Sequence, residues 1–186
     1  MENPWKIVGQ QQIYDNPWIG VTEFDVINPS GGKGIYGKVH YKNLAIGIIP
    51  LDAQGYIWLV GQYRFVLEGY SWEIPEGGGD PAVPPVESAQ RELQEETGLV
   101  ASEWSLLMEM HLSNSVSDER AFVYLARGLE QGVAEPEETE QLVVRRIPFE
   151  EAYEMVERRE IMDSISVAGI LKIKLLLVSG QLKLKT

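Results

Sequence analysis

Short alternating or apolar runs, broken at close intervals by Gly, Pro and Asn, fill the first part of the chain. KIVGQQQIY, IGVTEFDVI and GIYGKVHYK, separated by Asn-Pro, Pro-Ser-Gly-Gly and Gly-Lys-Gly signals, predict an antiparallel β meander within residues 1–43. LAIGIIPLD and YIWLVGQYR are more continuously apolar and predict two buried strands, joined as a hairpin across Ala53, Gln54 and Gly55. Beyond a glycine run at 77–79 the period changes from two to between three and four. Val86, Ala89, Leu93 and Thr97 gather on one side of a helix over Pro85–Thr97, opened by proline and closed by Gly98. SLLMEMHL, RAFVYLARGL and QLVVRRI predict further strands, the last two separated by an acidic loop, EPEETE. Two helices finish the chain. One covers 149–161, with Phe149, Ala152, Tyr153 and Val156 at helical spacing, and the other covers 164–178.

Composition narrows the chemistry available to these elements. The 186 residues are one ordinary domain in size, and 44% apolar content is that of a globular chain. A net charge of −12 opposes attraction to nucleic acid or anionic lipid. The longest apolar run, AGILKIKLLLVSG, is too short and too lysine-broken to span a bilayer. No basic and apolar leader opens the chain, so a cytoplasmic protein with neither membrane nor nucleic-acid partner is expected. Zero cysteines exclude thiolate chemistry and Cys-ligated zinc, and His40 and His111 are the only histidines. With no Ser-His-Asp spacing or GxSxG turn, carboxylates carry the candidate chemistry.

The densest carboxylate group is RELQEETGLV. With Glu92 at zero on the helical wheel, Glu96 lies at about +40° and Glu95 at about −60°. The three form one patch bordering the apolar face, while Glu87, Gln90 and Gln94 fall on a solvated sector. Like charges crowded at the edge of a core are unfavourable unless a cation joins them. All-oxygen ligands select a hard ion, Mg²⁺ or Mn²⁺, which takes further ligands from substrate phosphates. Gly77, Gly78 and Gly79 permit positive φ angles and let the backbone approach an ion or phosphate closely.

Residues 77–99 resemble the Nudix box, G-x5-E-x7-R-E-U-x-E-E-x-G-U with U a bulky aliphatic. Gly77, Arg91, Glu92, Leu93, Glu95, Glu96, Gly98 and Leu99 occupy their positions. Val83 stands where the pattern has its first Glu, and Glu87, one turn before Arg91, is positioned to take over the pairing with that arginine. GQYRFVLEGYSWEIPEGG, NSVSDERAFVYLARGL and EIMDSISVAGILKIKLLL extend the resemblance over most of the chain, toward ADP-ribose pyrophosphatases and other nucleoside diphosphate sugar hydrolases. The resemblance implies an α+β Nudix fold, with mixed β-sheets sandwiched between helices in residues 44–186. It also implies that the meander of residues 1–43 is a dimerisation element in a homodimer.

Carried over residue by residue, the resemblance gives metal binding to Glu92 and Glu96, helped by Glu95 and the backbone carbonyl of Glu76. Arg91 belongs to the catalytic set, and Arg64 grips the diphosphate through the bidentate geometry of a guanidinium. Trp18 and Tyr36 take the places of aromatic clamps for the nucleobase, with dimer packing as the alternative for each. The general base comes from the acidic loop after the box. Glu140, just before QLVVRRI, is the first choice, Glu138 its nearest rival, and Glu135 and Glu137 are plain surface charges. The implied reaction is metal-dependent hydrolysis of a diphosphate bond, with ADP-ribose giving AMP and ribose 5-phosphate. A sensor that has lost catalysis, and a Nudix hydrolase of GDP-mannose or of a nucleoside triphosphate, are the alternatives.

Overall fold

The computed structural model describes residues 2–132 and 141–184. Among these residues ten strands and three α-helices follow in the order β1 Lys6–Asp15, β2 Ile19–Ile27, β3 Lys33–Tyr41, β4 Leu44–Pro50, β5 Tyr56–Arg64, β6 Gly69–Glu73, β7 Glu76–Gly79, α1 Pro85–Thr97, β8 Leu99–His111, β9 Arg120–Gln131, β10 Val143–Pro148, α2 Phe149–Glu157 and α3 Ser164–Val178. The strands form three sheets, ordered β1-β2-β3, β10-β5-β6 and β7-β4-β9-β8. The last is mixed, because β4 runs parallel to β9 and antiparallel to β7.

The strict alternation of β4 and β9 places helices on both faces of that mixed sheet. Ile46, Ile48, Phe122, Tyr124 and Ala126 meet Ala89 and Leu93 of α1 on one side. Ile49, Ala121, Val123 and Leu125 meet Ile165, Ile170 and Ile173 of α3 and Phe149, Ala152 and Met155 of α2 on the other. Each fully buried Leu or Ile contributes roughly 1.5–3 kcal/mol. The first cluster holds α1 rigidly against β4, where its acidic edge becomes a fixed surface.

The expected helix over Pro85–Thr97 has the observed boundaries, with Pro85 in the first turn and Gly98 at φ 71°, its N–H returning to Gln94 O. The last helix also matches, and the Asp163 carboxylate caps it by accepting from Ser166 N at 2.8 Å. Two expectations are corrected. The helix beginning at Phe149 ends at Glu157 rather than Ile161, because Arg159 adopts φ 62° and the chain closes with Arg159 N donating to Val156 O and Glu160 N to Met155 O. The connection through Ala53, Gln54 and Gly55 is a tight turn, with Leu51 bridging Ile57, but β4 and β5 then diverge into different sheets. Both edges of β4 are taken by β7 and β9, so β5 pairs with β6 and β10 instead.

The meander β1-β2-β3 is antiparallel as expected. It joins the rest of the chain through β3 and the segment before β9. Val39 N donates to Val116 O, Asp118 N to Val39 O, and Tyr36 Oη to Ser115 O. Among the described residues strand β1 is hydrogen-bonded to β2 alone, and it is exposed along almost its whole length, Ile7, Val8, Ile13 and Tyr14 included.

Candidate active site

Strand β7 and helix α1 bring the glutamates against the glycine strand. Glu92 is 8% exposed and Glu96 4%, which is unusual for carboxylates. Glu95 is half-buried beside them. Glu76 N donates to Glu96 Oε2 at 3.0 Å, tying the first residue of β7, whose carbonyl the resemblance nominates as a ligand, to the last glutamate of the patch. Gly77 faces Glu92 so closely that a Cβ built there would lie 2.3 Å from its carboxyl carbon. The positive φ that Gly77, Gly78 and Gly79 permit is not used, since the three are extended and paired with β4. They are small because of what packs against them.

Arg91 gathers the patch. It donates to Glu92 Oε1 at 2.6 Å, to Glu95 Oε2 at 2.5 Å and to Gly78 O at 2.8 Å. The pairing expected with Glu87 is not made; Glu87 is exposed, and the donors of Arg91 turn to the site side of the helix. Partial burial opposes the charge on Arg91, but Glu92 and Glu95 outweigh it and raise its pKa. Val83 lies in the turn before α1, its N–H donating to Asp80 O.

Among the described residues no three carboxylates converge on one point, because Arg91 draws Glu92 and Glu95. The donor set nonetheless suits a hard divalent cation. It is all oxygen, it is nearly buried, and it abuts a backbone cleared of side chains at Gly77. Arg91 is the positive charge that keeps these carboxylates together when no metal does.

Arg64, at the end of β5, reaches a second group of acids on the same side. Its Nε donates to both oxygens of Glu73 at 3.0 and 3.1 Å, and Nη2 donates to Glu73 Oε2 at 2.5 Å and Glu76 Oε1 at 2.8 Å. Glu73 is 2% exposed. Burial raises the pKa of the Glu76 carboxyl well above the usual range, and the nearby Asp163 and Glu73 add to it. Glu76 Oε2 is buried without a hydrogen-bond partner among the described residues. Asp163, the cap of α3, also acts with burial to raise the pKa of Glu119. Glu73, Asp163 and the side chain of Glu76 escaped the sequence reading. The usable signal was Glu73 itself, a carboxylate between Trp72 and Ile74 in a strand-like run.

The aromatic residues are not brought together within one chain. Tyr36 pairs in register with Phe24, and Ile19 with Tyr41, so Trp18 stands roughly 20 Å along the sheet from Tyr36. Tyr36 packs edge-on to Trp5 with ring centroids 5.4 Å apart. It lines a hollow of about 470 Å³ with Phe24, Lys38 and Val116, none of which belongs to the glutamate patch. Trp18 is 66% exposed. Glu138 and Glu140 lie outside the described residues.

Comparison with known proteins agrees with this architecture. Residues 41–165 match the model of the NUDIX domain, and residues 5–39 match that of the nucleoside diphosphate sugar hydrolase N-terminal domain. An ADP-ribose pyrophosphatase of Mycobacterium tuberculosis is 34% identical over 92% of this chain and 84% of its own. One of Bacillus subtilis is 30% identical over 89% and 90%. A solved ADP compounds hydrolase superposes with a TM-score of 0.85 over 96% of this chain and 97% of its own, at 21% identity, which is likeness of fold. No described helix is long and apolar enough to cross a membrane. The chain belongs to the Nudix family, as a Nudix pyrophosphohydrolase carrying the N-terminal domain of nucleoside diphosphate sugar hydrolases.

Proposed function

We propose that this Nudix enzyme hydrolyses ADP-ribose to AMP and ribose 5-phosphate with Mg²⁺ or Mn²⁺ as cofactor. The observation that carries the reading is the pair of nearly buried carboxylates, Glu92 and Glu96, set against a backbone that has no side chain at Gly77. Such a pair is a costly surface ornament and a well-made cation seat. The choice of ADP-ribose rests on the relatives of similar length that bear the name ADP-ribose pyrophosphatase.

Glu92, Glu95, Glu96 and the Glu76 carbonyl hold the cation, which when bound supplies positive charge and Lewis acidity at the diphosphate. Arg91 keeps the carboxylates aimed at β7, and Arg64 meets the phosphate oxygens. Glu140 takes the proton of the attacking water, with Glu138 as its rival. Trp18 and Tyr36 stand too far apart in one chain to hold one base. A clamp made of both takes Trp18 from one protomer and the partner's Tyr36, which requires a homodimer. The exposed apolar side chains of β1, with Trp18, support an interface there.

The test is a panel of ADP-ribose, GDP-mannose, UDP-glucose, NADH, diadenosine polyphosphates and nucleoside triphosphates, with and without Mg²⁺ and with EDTA. Products are read by mass spectrometry in ¹⁸O-labelled water. Mg²⁺-dependent release of AMP and ribose 5-phosphate, with label in one of them, is expected. Cleavage of triphosphates alone, or tight binding of ADP-ribose without turnover, overturns the reading.

A further inference from the structure

The five N–H donors of Arg64 are divided unevenly. Glu73 takes the Nε and Nη2 edge as a fork, and the second Nη2 hydrogen goes to Glu76 Oε1. Nη1 donates to no described residue. The strand register explains why the side chain folds back. Arg64 pairs with Gly69 at the open end of the β5-β6 ladder, whereas Glu73 pairs with Val60, four residues earlier on β5. The guanidinium is therefore drawn along the sheet toward β7 and α1 rather than out past the strand end. Glu73 is 2% exposed while the Arg64 side chain is 36% exposed, so one partner is anchored in the core and the other sits at its surface.

We propose that Glu73 is a positioning residue for the hydrolysis. By occupying one edge of the guanidinium it fixes the plane of Arg64 and presents the Nη1 edge to the substrate diphosphate. The inference rests on the reading of Arg64 as a diphosphate contact. A planar fork suits this task, since binding one edge in-plane leaves the opposite edge aimed in a single direction. Arg64 cannot swing away without stranding a buried carboxylate, so the orientation is held before substrate arrives.

The test compares Glu73→Gln, Glu73→Asp, Arg64→Ala and the double variant Arg64→Ala/Glu73→Gln in the full chain. It measures kcat and KM for ADP-ribose with Mg²⁺, alongside thermal melting. Glu73→Gln removes the charge and one acceptor of the fork and is expected to lower kcat/KM by about 10- to 100-fold. Glu73→Asp, which keeps the charge, should recover part of that loss. In the double variant the loss should fall well short of the product of the two single losses, which a merely structural strut would not produce. The double variant leaves no unpaired charge where Glu73 is buried, so it stands in for Arg64→Ala should that variant fail to fold; Glu73→Gln should then approach its activity. Normal kcat/KM in Glu73→Gln beside an impaired Arg64 variant, or losses that multiply, overturns the inference alone. An Arg64 variant as active as the parent overturns the diphosphate role of Arg64 and the inference with it.

Discussion

Gly77→Ala is the sharpest single test of the candidate metal seat, because the structure sets the size of the disturbance. The added methyl would lie 2.3 Å from the Glu92 carboxyl carbon and 2.3 and 2.4 Å from its two oxygens. Restoring ordinary contact moves that carboxylate by roughly 1 Å. The atoms that must yield are the end of a flexible side chain, and Gly77 has no positive φ to lose, so the fold should absorb the change. Alanine also restricts the unfolded chain, which is worth about 0.4–1 kcal/mol in favour of folding. Net stability should change by no more than about 1 kcal/mol, or roughly 2–4 °C in Tm. Activity is another matter. A ligand displaced by roughly 1 Å can cost about 100-fold in rate. The expected result is a kcat for ADP-ribose down by about that factor, a higher Mg²⁺ concentration for half activity, and a melt close to the parent. Gly78→Ala is the matched comparison on the opposite face of the strand, where the methyl meets Asn43 at 3.1 Å, and its loss should be far smaller. Full activity in Gly77→Ala, or equal losses in both variants, would refute the reasoning; so would a large fall in Tm that accounts for the lost activity.

Glu96→Gln keeps the shape of a nearly buried group but removes a ligand charge, so turnover should fall by more than the ~10–100-fold that losing a supporting group costs. Mg²⁺-dependent turnover equal to the parent's would refute the ligand assignment. Glu140→Gln should lower kcat by roughly 10²–10⁴ with little change in substrate binding, and the same loss in Glu138→Gln instead would move the base by two residues. Burial alone would raise the pKa of Asp118, but hydrogen bonds from Lys38, His40 and Tyr41 N outweigh it and bring it to about 2. This group is depressed in the folded state. Its stabilisation of the joint to β3 is complete above its unfolded pKa near ~4 and is lost as pH falls toward 2. Asp118→Asn should therefore loosen the meander at pH 6, read as faster hydrogen exchange in β1–β3, and should flatten the acid transition; exchange and acid profile identical to the parent's would count against it. Sedimentation of the full chain at micromolar concentration should give about twice 20.9 kDa, and a clean monomer would remove the shared aromatic clamp.

What was legible in the sequence was local. Pro85, Gly98 and the spacing of Ala89, Leu93 and Thr97 fix α1 without help from distant residues, and the glutamate patch follows from its wheel. The parting of β4 and β5 was not legible, because the turn between them looks the same whether or not the strands stay paired. The choice belongs to β7 and β9, far along the chain. The end of α2 was hidden by Arg159, a non-glycine residue in the left-handed region that ordinarily marks itself with glycine. The glycine run was read as backbone freedom, whereas its reason is Glu92, one element away. Glu73 and Asp163 gain their roles only once β5-β6 pairing and the cap of α3 carry them to Arg64 and Glu76.

The parallel ladder between β4 and β9 also orders events in time. Ala45 lies beside Ala121, and the strand β7 and helix α1 that carry the glutamates fall in the loop this pairing closes. Closing so long a loop is an entropic cost met before the contacts it makes possible, which slows the search for the native state. Local turns and α1 can form early, but the surface α1 packs on, Ile46 and Ile48 of β4 with Phe122, Tyr124 and Ala126 of β9, is incomplete until β9 joins the sheet. Until then β4 leaves apolar Ile46, Ile48 and Ile49 and an unpaired edge open to other chains, so the same pairing that seats the glutamate-bearing helix is the step at which a folding chain is most prone to aggregate.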